Sequence, residues 1–301
     1  MTKFIKKLFV FLIVIFSLTL VLIGSLNYHI ASKNYKPGET ESNLFFVHEK
    51  INYEYLIMGI SHGRSLSRGN HHELFENKFR GKMINLAQGN GLGGLENQYW
   101  YLSYFLKKKN TAKKLIFVLS PTLMFSNQID NNSVAFFAEP IKLDFIHHIF
   151  KDGGSNRKDQ IFHYLKSKLS PNWWNQKPLV AEENMKALSK IDTIIINDGL
   201  KIGYPSGLNK EIFYERKNII SNIVKIATTE KMKIIFVIPP AVFGKWPGHE
   251  MVIDYLVKEY PSIQIVNSSS LSFDKSDYLD HHHLNTKGMK KWIDSLYESI
   301  K

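Results

Sequence analysis

The residues of this chain that can do chemistry sit in two short segments at opposite ends of its soluble part. Gly59-Ile60-Ser61-His62 follows the apolar run Tyr55–Met58, and Asp280-His281-His282-His283-Leu284-Asn285-Thr286-Lys287-Gly288 precedes the last helical stretch. A serine hydroxyl is a weak nucleophile until an imidazole takes its proton, and that imidazole needs a carboxylate to fix its tautomer. Ser61, Asp280 and His283 supply the three groups in the order Ser…Asp…His, which is compatible with assembly on an α/β sheet. The chemistry such a set supports is acyl transfer through an acyl-enzyme. His281 and His282 are alternative bases in the same run, and Asp277 is a second carboxylate that the spacing disfavours. His62 is read as starting a helix rather than binding substrate, and Arg64 as an ion-pair partner at the surface. Three adjacent histidines also raise the question of a metal. Neighbouring side chains on a turn point in different directions, and no cysteine or His-x-x-x-His partner completes a ligand set, so neither a metal nor another cofactor is expected.

Short apolar runs alternating with helical stretches must position these groups. Strands are expected at Tyr55–Ile60, Lys82–Ala87, Lys114–Leu119, Lys233–Ile238 and Gln264–Asn267, and helices at about 63–79, 93–108, 211–231, 249–259 and 287–300. Runs rich in Ile, Val and Phe, bounded by Lys, Gly and Pro, suit strands buried on both faces of a mainly parallel sheet. The expected fold is therefore a three-layer α/β/α sandwich with right-handed crossovers. Sites in such sheets gather beyond the carboxyl ends of the strands, where Ser61, Gly89, Ser120 and Pro239 all fall. From 121 to 208 the alternation lapses. That insertion holds Phe136-Phe137, His147-His148, Gly153-Gly154, Trp173-Trp174 and one β-like run, Asp192–Ile196. It reads either as a cap over the site or as a plain helical insertion.

The N-terminus is a separate unit. Lys3, Lys6 and Lys7 precede the apolar stretch Leu8–Ile23, and no charged side chain occurs from Leu8 through Ser32. About 20 apolar residues suffice to cross the hydrocarbon core. The lysines place the short end in the cytoplasm and everything after about Lys33 outside. A cleaved signal peptide would begin the same way, but the run is long, and only Gly24-Ser25 and Ala31-Ser32 offer small-residue sites. The reading is an anchor over 1–27, a stalk over 28–50 and one domain over 51–301. The absence of cysteine removes disulfides and thiol nucleophiles. The net charge of +12 comes from scattered lysines, with tight runs only at Lys107-Lys108-Lys109 and Lys113-Lys114, so no nucleic-acid partner is expected.

At Leu56-Ile57-Met58-Gly59-Ile60-Ser61-His62 and Asp280-x-x-His283 followed by Asn285 and Gly288, the chain resembles the SGNH (GDSL-like) hydrolase superfamily. The resemblance runs from about Tyr55 to the C-terminus outside the insertion. It implies Ser61 as nucleophile, His283 as base and then acid, and Asp280 as the group that orients His283. The family's glycine donor to the oxyanion hole corresponds to Gly89 or Gly91 in Asn85-Leu86-Ala87-Gln88-Gly89-Asn90-Gly91, with the Ser61 N–H as the other donor. The Gly-x-Asn-Asp block is missing, its strand ending Val118-Leu119-Ser120-Pro121-Thr122, and position 60 is Ile where many members carry Asp. The departure is similar to the membrane-anchored branch of envelope acyltransferases and esterases. The resemblance thus implies an extracytoplasmic serine esterase or O-acyltransferase acting on ester groups of cell-envelope polysaccharide, with a membrane-bound acyltransferase as a second partner. The alternatives are a non-catalytic glycan-binding or accessory envelope protein and a soluble secreted lipase.

Overall fold

Five short runs that are apolar on both faces pair into one sheet. A computed structural model describes residues 2–34, 48–68, 70–87, 94–126, 141–152, 157–170 and 186–301. The strands are β1 (Asn52–Gly59), β2 (Met83–Asn85), β3 (Thr111–Val118), β4 (Lys233–Ile238) and β5 (Gln264–Asn267). The helices are α1 (Thr2–Asn34), α2 (Ser61–Arg64), α3 (His71–Phe79), α4 (Leu95–Lys107), α5 (Thr122–Phe125), α6 (Leu143–Asp152), α7 (Arg157–Lys168), α8 (Thr193–Gly203), α9 (Lys210–Thr229), α10 (His249–Glu259) and α11 (Thr286–Ile300).

The sheet runs β2-β1-β3-β4-β5, and every pairing is parallel. The two sides of each strand feed different apolar clusters, as the two-residue period of a strand requires. Leu56 and Met58 of β1 join residues of α4, α9 and α10 on one face, while Tyr55 and Ile57 join residues of α3 and α11 on the other. Helices therefore cover both faces of the sheet. The winding reverses between β1 and β3, which opens a crevice beyond their carboxyl ends, where Gly59 pairs with Val118.

One expected helix and one β-like run differ. The stretch 63–79 is not one helix: α2 ends at Arg64, a turn follows, and α3 begins at His71. Asp192–Ile196 is not a strand but the start of α8, because the Asp192 carboxylate accepts the Ile194 N–H and caps the helix. Its Ile194 and Ile195 remain exposed and only Ile196 is buried, so no sheet claims the run. The Phe136-Phe137, Gly153-Gly154 and Trp173-Trp174 pairs lie outside the described residues.

Within α1, Lys3–His29 is long and apolar enough to cross a membrane, and its apolar window is not buried against the rest of the chain. Its end is tied to the domain: the Asn27 side chain accepts the Ile141 N–H at 2.8 Å and donates to the Ile141 carbonyl at 3.3 Å.

Candidate active site

Ser61 is the first residue of α2, directly past the end of β1 at the sheet's point of reversal. The chain turns there through Gly59, whose φ of +138° is a conformation that L side chains rarely adopt. A Cβ on Gly59 would lie 2.4 Å from the Val118 carbonyl oxygen. The buried amide of Gln98 on α4 fixes this peptide from both sides: it accepts the Gly59 N–H at 2.9 Å and donates to the Gly59 carbonyl at 2.7 Å. From β2, the buried Asn85 donates to the Gly63 carbonyl and the Ser67 hydroxyl, both at 2.8 Å. Sheet and helix together hold the serine turn.

The second half of the site is a tight loop between Tyr278 and Leu284, closed by an antiparallel bridge between those residues. Asp280 organises it. Its Oδ1 accepts the backbone N–H of His282 at 2.7 Å and of His283 at 2.8 Å, and both carboxylate oxygens lie 3.0 Å from His283 Nδ1. This is the local side-chain-to-backbone bonding that aspartate favours in turns, and it explains the three-residue spacing. Burial alone would raise the Asp280 carboxyl. The hydrogen bond and charge of His283, with the two backbone donors, outweigh that and hold it well below the usual carboxylate range. A carboxylate can only accept, so Nδ1 carries the proton and Nε2 is left as the free base. Asn285 then caps α11 by accepting the Gly288 N–H, and its amide donates to the Ser276 carbonyl at 2.8 Å.

His62 joins the two halves. Its ring stacks on that of His283 with centroids 5.4 Å apart, meets Trp246 edge-on at 5.1 Å, and sets Nδ1 3.0 Å from the Ser120 hydroxyl. Burial, then the nearby His283 and His282, push its pKa down to about 3, so the imidazole is neutral. A neutral His62 ring adds no charge beside His283. Neither His62 nor Ser120 was read from the sequence as a member of the site. Adjacency to Ser61 and a strand-end position were the only signals available.

The structure brings Asp280 and His283 into contact and sets them against the residue next to Ser61. Among the described residues, the Ser61 hydroxyl makes no hydrogen bond to His283; such bonds often close only around substrate. Gly89 and Gly91, two of the expected oxyanion-hole donors, lie outside the described residues; the third, the Ser61 N–H, sits at the first position of α2, where the helix ladder does not use it. Asp277 is committed elsewhere. It is fully buried, lies 3.2 Å from Lys287 and 2.6 Å from Lys291, and accepts the Asp274 N–H. Arg64 is half-buried on α2.

The other two histidines face the insertion. His281 Nε2 accepts the Asp192 N–H at 2.8 Å, and α8 passes so close to His282 that a Cβ on Gly199 would lie 2.3 Å from its Nε2. Residues 186–203 therefore dock beside His281 and His282. The three histidines point to three different partners, and among the described residues no group of three or more potential ligands is placed to hold a metal ion.

A second Ser–His–Asp set occurs elsewhere, and its serine hydroxyl is already committed to a backbone carbonyl. Ser103 on α4 lies 3.0 Å from His148 Nε2, and His148 Nδ1 lies 3.1 Å from Asp152. His148 Nε2 is also 3.2 Å from the Trp100 carbonyl, which only accepts, so acceptors face both ring nitrogens. The Ser103 hydroxyl itself donates to that carbonyl at 2.9 Å. The backbone N–H groups around Ser103, in the middle of α4, are consumed by the helix ladder. This set pins α6 to α4.

No protein-family model matches the chain, and no curated protein matches it.

Proposed function

We propose that the chain is a membrane-anchored, SGNH-type serine enzyme of the cell envelope, with its domain on the outer side of the cytoplasmic membrane. The observation that carries this reading is the Asp280–His283 pair, with Nδ1 protonated and Nε2 free, stacked on the neighbour of Ser61 at the sheet's reversal point. Ser61 Oγ attacks the carbonyl carbon of an ester while His283 Nε2 takes the hydroxyl proton. His283 then returns that proton to the leaving alkoxide as the C–O bond breaks, and the acyl group stays on Ser61. Water or a sugar hydroxyl attacks in the second half, giving its proton to His283, which passes it to Ser61 Oγ. Asp280 stabilises the imidazolium in both halves. The substrate class is acyl esters of envelope glycans, as esterase or O-acyltransferase, with a membrane-bound acyltransferase as the donor partner in the second case.

Docking of residues 186–203 beside His281 and His282 favours transfer over hydrolysis, since excluding water protects an acyl-enzyme. The test is a fluorophosphonate probe on the full chain in detergent micelles. The reading predicts a phosphonylated Ser61 peptide that is lost in His283→Ala. Labelling of any other serine with Ser61 untouched contradicts it.

A second reading is a non-catalytic glycan-binding or accessory protein that uses the same crevice, favoured by the absent Ser61–His283 hydrogen bond. It predicts that a double variant lacking Ser61 and His283 still complements a deletion strain.

A further inference from the structure

The end of the apolar helix and two helices of the insertion, α6 and α7, share one place in the molecule. Lys3–His29 comprises 27 residues. At ~1.5 Å each these extend about 40 Å, against a hydrocarbon core of about 30 Å, so the last turn emerges in the headgroup layer. Asn27 sits in that turn, and its paired hydrogen bonds hold Ile141 beside it, two residues before α6 begins. Tyr28, next to it, is 77% exposed, the residue type that settles at membrane interfaces.

The helices that start there are apolar on the side turned away from the domain. On α6, Phe145 and Ile149 are buried, while Leu143 and Phe150, seven residues apart and so on one stripe, are 76% and 63% exposed. On α7, Tyr164 is buried while Phe162 and Leu165 are 61% and 45% exposed, and Leu169 just past its end is 82% exposed. Soluble surfaces seldom collect large apolar side chains in this way without a partner. The exposed polar residues among them are mostly cationic: Lys151, Arg157, Lys158 and Lys166, opposed by Asp159. Asp144 is held by Lys108 and Tyr104, and Asp152 by His148 and Lys107. Arg157 and Lys166 lie over the rings of Phe150 and Phe162, cation beside apolar face as interfacial helices carry them.

We propose that α6 and α7 lie in the headgroup layer of an anionic membrane, beside the point where α1 leaves it, with Leu143, Phe150, Phe162, Leu165 and Leu169 immersed. The proposal rests on the reading that α1 crosses the bilayer. It gives the domain a second attachment, which fixes its orientation over the membrane rather than leaving it on a free tether. Basic side chains near an anionic surface each strengthen such contact.

The chain has no cysteine, so single cysteines can carry a nitroxide without background. Full-length Phe150→Cys, Leu165→Cys, Val14→Cys and Val257→Cys variants are labelled in vesicles of phosphatidylglycerol and phosphatidylcholine, and power saturation is read with oxygen and with a nickel chelate. Labels at 14, 150 and 165 are expected to favour oxygen, and the label on exposed Val257 of α10 the nickel chelate. Water-like signals at 150 and 165 with a lipid-like signal at 14 overturn the proposal and leave the anchor intact. A water-like signal at 14 overturns the anchor and the proposal with it. In phosphatidylcholine alone the 150 and 165 labels should sit shallower, and equal depth in both vesicles overturns the anionic preference.

Discussion

The imidazoles of His62 and His283 lie nearly face to face, 5.4 Å between centroids and 30° between planes. This contact joins the first strand–helix turn of the domain to the loop before its last helix. It also helps to keep His62 uncharged, since His283 and His282 add to burial in lowering its pKa.

The pH dependence of stability follows with a definite sign. A buried histidine whose folded pKa is depressed binds its proton more readily when unfolded, so stability falls as pH drops below about 6.5 and continues to fall to about pH 3 for His62. His71, His148 and His282 are lowered by burial in the same direction. Asp280 acts in a later window, its contribution present above about pH 4 and lost as pH falls through its depressed value. Urea midpoints measured between pH 7 and 4.5 should fall, and more steeply for wild type than for His62→Phe. Parallel slopes would show that His62 does not stay neutral in the fold.

Asp280→Asn leaves an oxygen to accept the His282 and His283 N–H groups but no longer enforces the Nδ1–H tautomer. Turnover of an activated ester should drop by about 10⁴-fold, with little change in KM. A drop of less than tenfold in kcat would remove Asp280 from the mechanism.

Gln98→Leu strips both partners from the Gly59 peptide, which is buried between β1 and α4. Leaving buried polar groups unpaired costs about 1–3 kcal/mol each. The urea midpoint should fall accordingly, and Ser61 labelling should slow because the turn that presents it loosens. Unchanged stability would mean that the peptide finds other partners.

Ser103→Ala should leave fluorophosphonate labelling and esterase turnover unchanged, because that hydroxyl already donates to the Trp100 carbonyl. Loss of labelled protein mass in this variant would reverse the assignment of the two Ser–His–Asp sets.

Much of this was legible in the chain. The β4 and β5 bounds coincide with the expected Lys233–Ile238 and Gln264–Asn267; β4 is buried and reads as an unbroken apolar run, while the half-buried edge strand β5 keeps only Ile265 and Val266 between polar ends. Asp280 and His283 were legible because their contact is local. Asp192–Ile196 misled, since a short β-branched run has no period that separates strand from buried helix, and the cap at Asp192 settled it. Gln98, Ser120, His62 and Trp246 were missed because their roles arise from packing between distant segments, to which local pattern is blind.

The proposed function requires that Ser61 become acylated with His283 as its base. Peptide mass spectrometry after brief exposure of the full chain to an acetyl ester of nitrophenol tests this most directly. An acetyl group on Ser61, absent in Ser61→Ala and in His283→Ala, is the expected result. Equal acetylation of the Ser61 peptide with and without His283, or none at all while nitrophenol is released at the wild-type rate, would contradict it.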